Sequence, residues 1–273
     1  MRTATRTRIA TSAALFLIAV CFLVPLSWLV LAAFDARASA RTALPEEFTL
    51  ENFASILTVD LGLRPLLNSL LLSLLAAGVV VVAAVLASYP LSRYRMRFTR
   101  PFMYTVLFAT CLPISAMMVP VFSLAVRAGV LDSLPVTGLF LAATALPMGI
   151  WMTKNFMDSV PVSLEEAAWV DGASAMRALA FIVVPLMRQG IGVVFIFVFM
   201  QAWGNFFVPF LLLRSSDKLP AAVTIYQFFG QYGAINYGQL AAFSVLYSLP
   251  AIILYVLVSR GAGGFAMSGA VKG

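Results

Sequence analysis

The sequence predicts an all-α integral membrane protein with six transmembrane helices. Of its 273 residues, 62% are hydrophobic and only 11% are charged, and the mean hydropathy is +0.98. Soluble domains are roughly half apolar and about a quarter charged, so this chain has too little polar surface to coat a soluble fold. The apolar residues are also gathered into six long stretches that contain no charged side chain.

Each stretch is long enough to cross a bilayer. About 20 helical residues span a hydrocarbon core roughly 30 Å thick, and a charged residue at its centre costs about 2.5–3.5 kcal/mol. The first run is too long for the apolar part of a signal peptide, so we expect it to remain as a span. We therefore expect residues 1–273 to form a single transmembrane domain with spans at about 9–34, 66–92, 101–126, 134–153, 189–213 and 240–259.

The distribution of basic residues predicts the orientation. With the N-terminus in the cytoplasm, the inner segments hold twelve of the 18 lysines and arginines, although the outer loops are longer. The loop at 93–100, RYRMRFTR, contributes most to this excess. The positive-inside rule therefore predicts that both termini are cytoplasmic. The same scattering of basic residues over loops argues against a nucleic-acid partner, despite the net charge of +7.

Composition also disfavours a metal site or a disulfide framework. The chain has no histidine, and its two cysteines, Cys21 and Cys111, each lie inside an apolar run. We therefore expect no metal ligands.

Acidic residues cluster in one predicted cytoplasmic loop, residues 158–185, here called the acidic loop. It holds four of the eleven acidic side chains: Asp158, Glu165, Glu166 and Asp171. Ser163 and Glu166 have the spacing of a capping box, and Gly172 can end a helix in the left-handed conformation. The pattern predicts a helix over 164–171, then a second helix that enters the membrane near Pro185.

A helix of two turns is marginal on its own, so another surface must hold it. Leu164, Ala167 and Ala168 share one face, and the small alanines would let a partner approach closely. Packing beneath the protein's own bundle is the alternative, and these residues alone leave both interpretations open.

Two outer loops are sizeable. Residues 49–57 have the apolar spacing of a short surface helix that begins near Thr49. The loop at 214–239 is rich in aromatic residues, glycines and amides. Aromatic side chains near a membrane end are more often interfacial anchors than ligand contacts, so composition alone favours anchoring.

The acidic loop resembles the EAA loop of membrane subunits of ATP-binding-cassette (ABC) importers. The matching residues are Glu166-Ala167-Ala168, Asp171-Gly172-Ala173, Ile182 and Pro185, in the pattern E-A-A-three-G-nine-I-x-L-P. Val184 stands where leucine is usual. The resemblance covers nearly the whole chain and indicates sugar-importer permeases similar to the six-span maltose permease. One departure is at Trp203, where the family has a tryptophan–asparagine–acid motif and this chain continues with Gly204 and Asn205.

The resemblance implies a type I ABC importer permease fold in a bacterial plasma membrane, with the acidic loop as a cytoplasmic coupling helix. It implies three partners besides the lipid bilayer: a second permease subunit, favoured to be a paralogue, a cytoplasmic ATPase dimer, and an extracytoplasmic solute-binding protein. The residues implied to dock the ATPase are Glu165, Glu166, Ala167, Ala168, Asp171, Gly172 and Ala173, together with the C-terminal Val271, Lys272 and Gly273. Those implied to reach the binding protein are Tyr226, Gln227, Tyr232 and Asn236.

The implied function is uptake of an oligosaccharide, a disaccharide or an amino sugar by alternating access. The candidate pathway residues are polar or aromatic at membrane depth: Gln201, Trp203, Asn205 and Phe206. Ser73, Ser115 and Thr144, with Asn68, are further candidates, although hydrogen bonding between helices is the favoured explanation for each Ser and Thr. Buried amides are costlier, which favours Gln201 and Asn205.

Catalysis is not expected of this chain. It has no G-x-x-x-x-G-K-[ST] phosphate loop, so ATP and magnesium are expected on the partner ATPase subunits and no cofactor on this one. Uptake of glycerol-phosphate esters is the alternative within the same family. A stand-alone secondary transporter is less favoured, because it would show ionisable residues at membrane depth and an internally repeated half.

Overall fold

A computed structural model describes residues 2–41, 44–94, 96–229 and 235–262, and only the backbone of 2–10, 227 and 259–262. All regular elements within these ranges are helical; the one extended pairing is an isolated bridge between Asp35 and Phe48. The α-helices are α1 (Arg2–Ala33), α2 (Glu51–Ile56), α3 (Arg64–Arg93), α4 (Thr99–Ala109), α5 (Ile114–Arg127), α6 (Leu134–Asp158), α7 (Ser163–Val170), α8 (Ala175–Ala178), α9 (Val184–Leu186), α10 (Arg188–Trp203), α11 (Phe207–Leu212), α12 (Ala221–Thr224) and α13 (Tyr237–Ala262).

Short tighter or wider turns join several of them. Wide π turns cover Val59–Leu63, just before α3, and Leu179–Val183, between α8 and α9. Two 3₁₀ turns, Ser216–Lys218 and Ile225–Phe229, shape the segment that follows α11.

The predicted all-helical membrane fold is confirmed. Four helices of the described chain are long and apolar enough to cross a membrane: Thr11–Ala33, Val59–Arg93, Leu134–Asp158 and Tyr237–Val258. Two bent helix pairs bring the number to six if each pair is one span. One pair is α4 with α5, bent by 89°, and the other is Ala175–Leu186 with α10, bent by 80°.

The helices in the predicted spans at 101–126 and 189–213 are interrupted in the structure. The first breaks before Pro113, which has an extended backbone (φ −67°, ψ 124°) and caps α5; proline has no amide hydrogen to continue a helix. The second breaks after Trp203, where Gly204 ends α10. The amide of Val208 then donates to Asn205 Oδ1 at 3.0 Å and starts α11.

The fourth predicted span is correct but short. Helix α6 runs past the predicted limit of 153 to Asp158, and the i,i+4 pair Lys154–Asp158 closes its last turn with an N–O distance of 2.6 Å. A criterion based on absence of charge stops before the first charged side chain, Lys154, whereas the helix itself continues to Asp158.

The chain forms two compact units. The described residues of the first lie within Met1–Leu63 and Thr224–Leu249, and those of the second lie within Arg64–Val223 and Pro250–Gly273. In the first, the ring of Phe34 stacks on Phe48 with centroids 5.2 Å apart and packs against Phe53 at 5.0 Å. Asn52 Nδ2 donates to the carbonyls of Ala33 and Asp35. The predicted short helix at 49–57 is confirmed as α2, and Thr49 accepts from the amide of Glu51.

The second unit is built on α3, which packs against α6 and α10. The buried face of α3 is rich in small residues, among them Ala76, Ala77 and Ala84, which are fully buried. At Gly149 of α6 an added Cβ would lie 2.4 Å from Val80 Cγ1, so the two helix backbones approach closely there. Lipid supplies no hydrophobic driving force between helices. Helices in a membrane therefore associate through close van der Waals packing, which small residues at the contact allow.

A polar clamp secures the loop at the N-terminal end of α6. Asp132 has the left-handed φ of 58°, and its Oδ1 accepts from the amides of Arg214 and Ser215 at 2.9 and 3.0 Å. Its Oδ2 accepts from the Ser215 hydroxyl and, at 2.9 Å, from Lys218 Nζ. These hydrogen bonds, first from Ser215 and then from Lys218, hold the pKa of the Asp132 carboxyl well below its usual range.

The clamp predicts a specific pH dependence. A depressed carboxyl pKa stabilises the fold above the unfolded value of about 4, and that stability is lost as the pH falls towards the folded value. Asp132→Asn should therefore lower the melting temperature of the detergent-solubilised protein by a constant amount between pH 5 and 8, and by less below about pH 4. Thermal unfolding monitored by tryptophan fluorescence measures the difference.

Glu46→Gln is the matched control for that experiment. Its carboxylate forms an exposed pair with Arg37 at 4.0 Å, and such pairs contribute little. Equal melting temperatures for the two variants at pH 7 would contradict a stabilising clamp at Asp132.

Candidate functional site

The acidic loop folds into the predicted short helix with the predicted glycine stop. Helix α7 spans Ser163–Val170, with Asp171 as its C-cap, and Gly172 has a φ of 83°. The amide of Gly172 donates to the carbonyl of Trp169 at 3.0 Å, and that of Ala173 to Ala168 at 2.9 Å. This pair of hydrogen bonds is a Schellman motif, which uses a left-handed residue to satisfy the last carbonyls of a helix.

The predicted capping box at the start of α7 is wrong. Val162 occupies the N-cap position, and no side chain caps the helix there. The backbone supplies the acceptors instead: the amide of Leu164 donates to Pro161, and those of Glu165 and Glu166 to Val162. The helix begins one residue earlier than predicted, which places Ser163 inside it and leaves the Glu166 side chain exposed.

Glu165, one of the predicted docking residues, is buried. Its side chain is 0% exposed, and Oε1 lies 2.6 Å from Arg93 Nε, whose own side chain is 3% exposed. Oε2 accepts from the Tyr89 hydroxyl at 2.8 Å. Because both carboxylate oxygens face α3, Glu165 anchors α7 to its own bundle and presents no surface to a partner.

The rest of the docking set lies on the outside of α7. Glu166, Ala167, Asp171 and Gly172 are exposed, while Ala168 and Ala173 are half-buried. Leu164, which the sequence already places on this face, is exposed, and the structure adds two apolar side chains that the sequence did not indicate: Val170, which is 88% exposed, and Met176. We call Leu164, Glu166, Ala167, Val170, Asp171 and Met176 the outer surface of the acidic loop. Large apolar groups beside carboxylates, outside the spans, are typical of a protein contact.

A cavity lies within the second unit, where α4, α5, α6 and α10 meet. Its volume is about 530 Å³, within the range of small-molecule sites. Two of the four predicted pathway residues, Gln201 and Asn205, line it, together with Thr110 and Thr144. The remaining lining is mainly apolar and includes Met117, Met148 and Phe197. The break between α4 and α5 opens this space.

The other two predicted pathway residues do not line this cavity. Trp203 is 3% exposed and stacks on Phe199 with ring centroids 5.5 Å apart. Phe206 stacks on Phe210 at 4.9 Å. Both lie in the same short stretch as Gln201 and Asn205. Trp203 is buried in the packed core, whereas Phe206 follows the end of α10 and is half-buried. Proximity along the sequence was therefore a poor guide for these aromatic side chains.

The other polar candidates have structural partners or different surroundings. Asn68 Nδ2 donates to the carbonyls of Asp217 and Leu219, and so fixes the segment after α11. The hydroxyl of Thr144 bonds within its own helix to Leu141, although the residue also lines the cavity. Ser115 lies beside a second cavity of about 550 Å³, between α5 and α11. Ser73 Oγ is buried with no hydrogen-bond partner within the described chain.

The predicted binding-protein loop is described only in part. Tyr226 is 60% exposed and packs its ring on Phe229 at 5.9 Å. Asn236 is exposed, and its Oδ1 accepts from the amide of Gln239 in the first turn of α13. The side chain of Gln227, and all of Tyr232, lie outside the described residues, as do Val271, Lys272 and Gly273 of the predicted tail contact.

Comparison with known proteins assigns the family. Residues 79–262 match the family described as binding-protein-dependent transport system inner membrane component. A putative ABC transporter permease protein of Streptomyces antibioticus is 32% identical over 84% of this chain and 100% of its own length. The diacetylchitobiose uptake system permease protein NgcG of Streptomyces coelicolor is 29% identical over 95% of this chain and 87% of its own. The maltodextrin transport system permease protein MdxG of Bacillus subtilis is 28% identical over 97% and 96%.

Solved structures share the fold. A chain of a bacterial ABC transporter for import of the acidic polysaccharide alginate superposes with a TM-score of 0.80 at 22% identity, covering 95% of this chain and 98% of that one. A chain from the alginate transporter in complex with its pentasaccharide-bound periplasmic protein gives 0.68 at 16% identity, over 93% and 94%. The helical bundle, the exposed acidic loop and the matched residues lead to one conclusion: this chain belongs to the family of inner membrane components of binding-protein-dependent transport systems.

Proposed function

We propose that this chain is the permease subunit of an ATP-driven sugar importer and forms half of the translocation pathway, which works by alternating access. The observation that carries the proposal is α7: a short helix anchored from within, ended by a Schellman turn, with apolar and acidic side chains on its outer surface. Such a surface suits docking into a cleft of a cytoplasmic ATPase, in which Glu166 and Asp171 meet basic or amide groups.

Sugar is the favoured solute class. Two relatives are named for uptake of diacetylchitobiose and maltodextrin. The cavity combines two amides and two hydroxyls with apolar side chains, and none of the described residues that line it is charged. Amides and hydroxyls can hydrogen-bond to sugar hydroxyls, and Phe197 offers an apolar face. A glycerol-phosphate ester would favour basic groups, so the cavity supports a neutral or amino sugar.

We propose the topology and partners that the family implies. Both termini are cytoplasmic in a bacterial inner membrane, which places the acidic loop beside an ATPase dimer and the segment around Tyr226 and Asn236 beside a solute-binding protein. The C-terminal residues Val271, Lys272 and Gly273 follow the ATPase dimer. The second permease is a paralogue, and it supplies the other half of the pathway.

ATP hydrolysis is assigned to the partner. This chain lacks a phosphate loop in its sequence, and ATP and magnesium bind to the ATPase subunits. The purified chain in nanodiscs should therefore release no phosphate from MgATP above a protein-free control. Phosphate release should appear only after the ATPase partner is added. Robust hydrolysis by the isolated chain would contradict this division of labour.

The docking proposal is tested at Gly172. An added Cβ there meets no atom of the described chain within 4 Å, so within this chain the substitution acts through the positive φ. Gly172→Val should lower ATP-dependent uptake into proteoliposomes about tenfold or more and reduce co-purification of the ATPase, while membrane insertion persists. A β-branched residue at positive φ costs of order 1–3 kcal/mol, which is enough to unwind the turn.

Two variants control for this effect. Gly172→Asn should retain most uptake, since asparagine tolerates the left-handed conformation. Gly129→Val places the same strain (φ 66°, also with no atom within 4 Å) at the end of α5, away from the acidic loop. It should leave ATPase binding intact. Unchanged uptake and assembly in Gly172→Val would overturn the docking proposal.

The pathway proposal is tested at Gln201. Gln201→Leu keeps a similar volume but removes the amide from the cavity, so sugar uptake should fall several-fold while the complex still assembles. Met200→Leu is the control, because Met200 is adjacent in sequence and does not line the cavity. Equal initial uptake rates of radiolabelled sugar in the two variants would exclude a pathway role for Gln201.

A further inference from the structure

We infer that a buried network of Tyr89, Arg93 and Glu165 is the positioning link that makes α7 move together with α3. This inference rests on the proposed function. It concerns a step inside the permease: how a displacement of the outer surface reaches the transmembrane helices. None of the three side chains belongs to the outer surface or to the cavity.

Short hydrogen bonds hold the side chains of this network in place. Glu165 Oε1 lies 2.6 Å from Arg93 Nε, and Oε2 accepts from the Tyr89 hydroxyl at 2.8 Å. Arg93 also donates through Nη2 to the carbonyl of Val160 at 3.2 Å, and through Nη1 to Ser92 Oγ at 3.2 Å. The last turn of α3 is therefore bonded both to α7, through Glu165, and to the segment that leads into α7, through Val160.

The network lies against an apolar cluster that keeps water away. Tyr89 is itself part of this cluster with Val85, Met157, Val160, Leu179, Val183 and Met187. In a water-poor site the charges attract strongly, but they are costly to separate. When the outer surface moves, α7 can slide relative to α3 only by exposing or unpairing a buried charge. The lower-cost response is for both helices to move as one body.

Helix α6 is linked to the same end of α3 by a more exposed chain of contacts. Ser92 Oγ donates to Asp158 Oδ1 at 2.6 Å, and Asp158 Oδ2 pairs with Lys154 at 2.6 Å. The Asp158 side chain is 42% exposed, so water can replace these partners at little cost. The pair Lys154–Asp158 therefore serves as an internal control for the buried network.

The experiment measures coupling rather than stability. The complete importer is reconstituted, with the solute-binding protein, in proteoliposomes, and the ratio of sugar taken up to ATP hydrolysed is measured. Glu165→Gln should keep the ATPase bound, because the outer surface is unaltered, but should lower this ratio about tenfold. Lys154→Gln should leave the ratio within about twofold of the wild type.

Further variants at Tyr89 and Arg93 guard against simple misfolding. Tyr89→Phe removes one hydrogen bond and keeps the ion pair, so it should give a smaller fall, about two- to fivefold. Arg93→Met removes the charge and should lower the coupling ratio strongly. Arg93→Lys keeps the charge but cannot reach both Glu165 and Val160 with the same geometry, so its coupling ratio should lie between those of Arg93→Met and the wild type. The double variant Arg93→Met/Glu165→Gln should be no worse than the poorer single variant if the two side chains act as a unit.

The outcomes separate this inference from the function it rests on. If the wild-type importer transports sugar and Glu165→Gln has a normal coupling ratio, the positioning role is wrong and the proposed function stands. Loss of ATPase binding in Glu165→Gln, with Tyr89→Phe unchanged, would also overturn it, since Glu165 would then act at the docking surface. A wild-type complex that takes up no sugar would instead overturn the proposed function.

Discussion

The buried ion pair between Arg93 and Glu165 is the interaction on which the site depends. A two-turn helix such as α7 does not persist alone in water, and α3 offers Glu165 a cation and a hydroxyl within hydrogen-bond distance. Breaking such a pair by removing one partner typically costs about 3–5 kcal/mol, whereas replacing both by apolar groups is often neutral. The pair therefore contributes position more than net stability, which suits the force-transmitting role proposed for α7.

A second polar contact sits at the other end of α6. Asp132 holds the chain after α11 through two amides, a hydroxyl and an ammonium group. Between these two polar contacts, α3 and α6 meet through small residues such as Gly149. This arrangement suits a lipid bilayer as the solvent. Helices can pack closely through apolar residues in hydrocarbon, whereas burying a charged group there costs much more free energy than placing it near the membrane ends.

The helix breaks give the membrane region its cavity. The chain turns by 89° between α4 and α5, and residues at this break, among them Thr110 and Ile114, line the cavity. Gly204 and Asn205 stop α10 in a similar way and start α11. Asn205 therefore has two roles: its Oδ1 caps a helix, and the residue lines the cavity beside Gln201.

The sequence by itself determined the class of fold, the approximate spans and the acidic loop. Hydrophobicity and the absence of charge act locally, and the Gly172 turn depends on a local backbone preference. Tertiary structure decided which side of each helix faces inward. It buried Glu165 beside Arg93, 72 residues away in sequence, turned Trp203 into the packed core, and exposed Val170. It also brought Asp132 to Ser215. Such outcomes depend on contacts between distant segments, and a single sequence without its fold does not specify them.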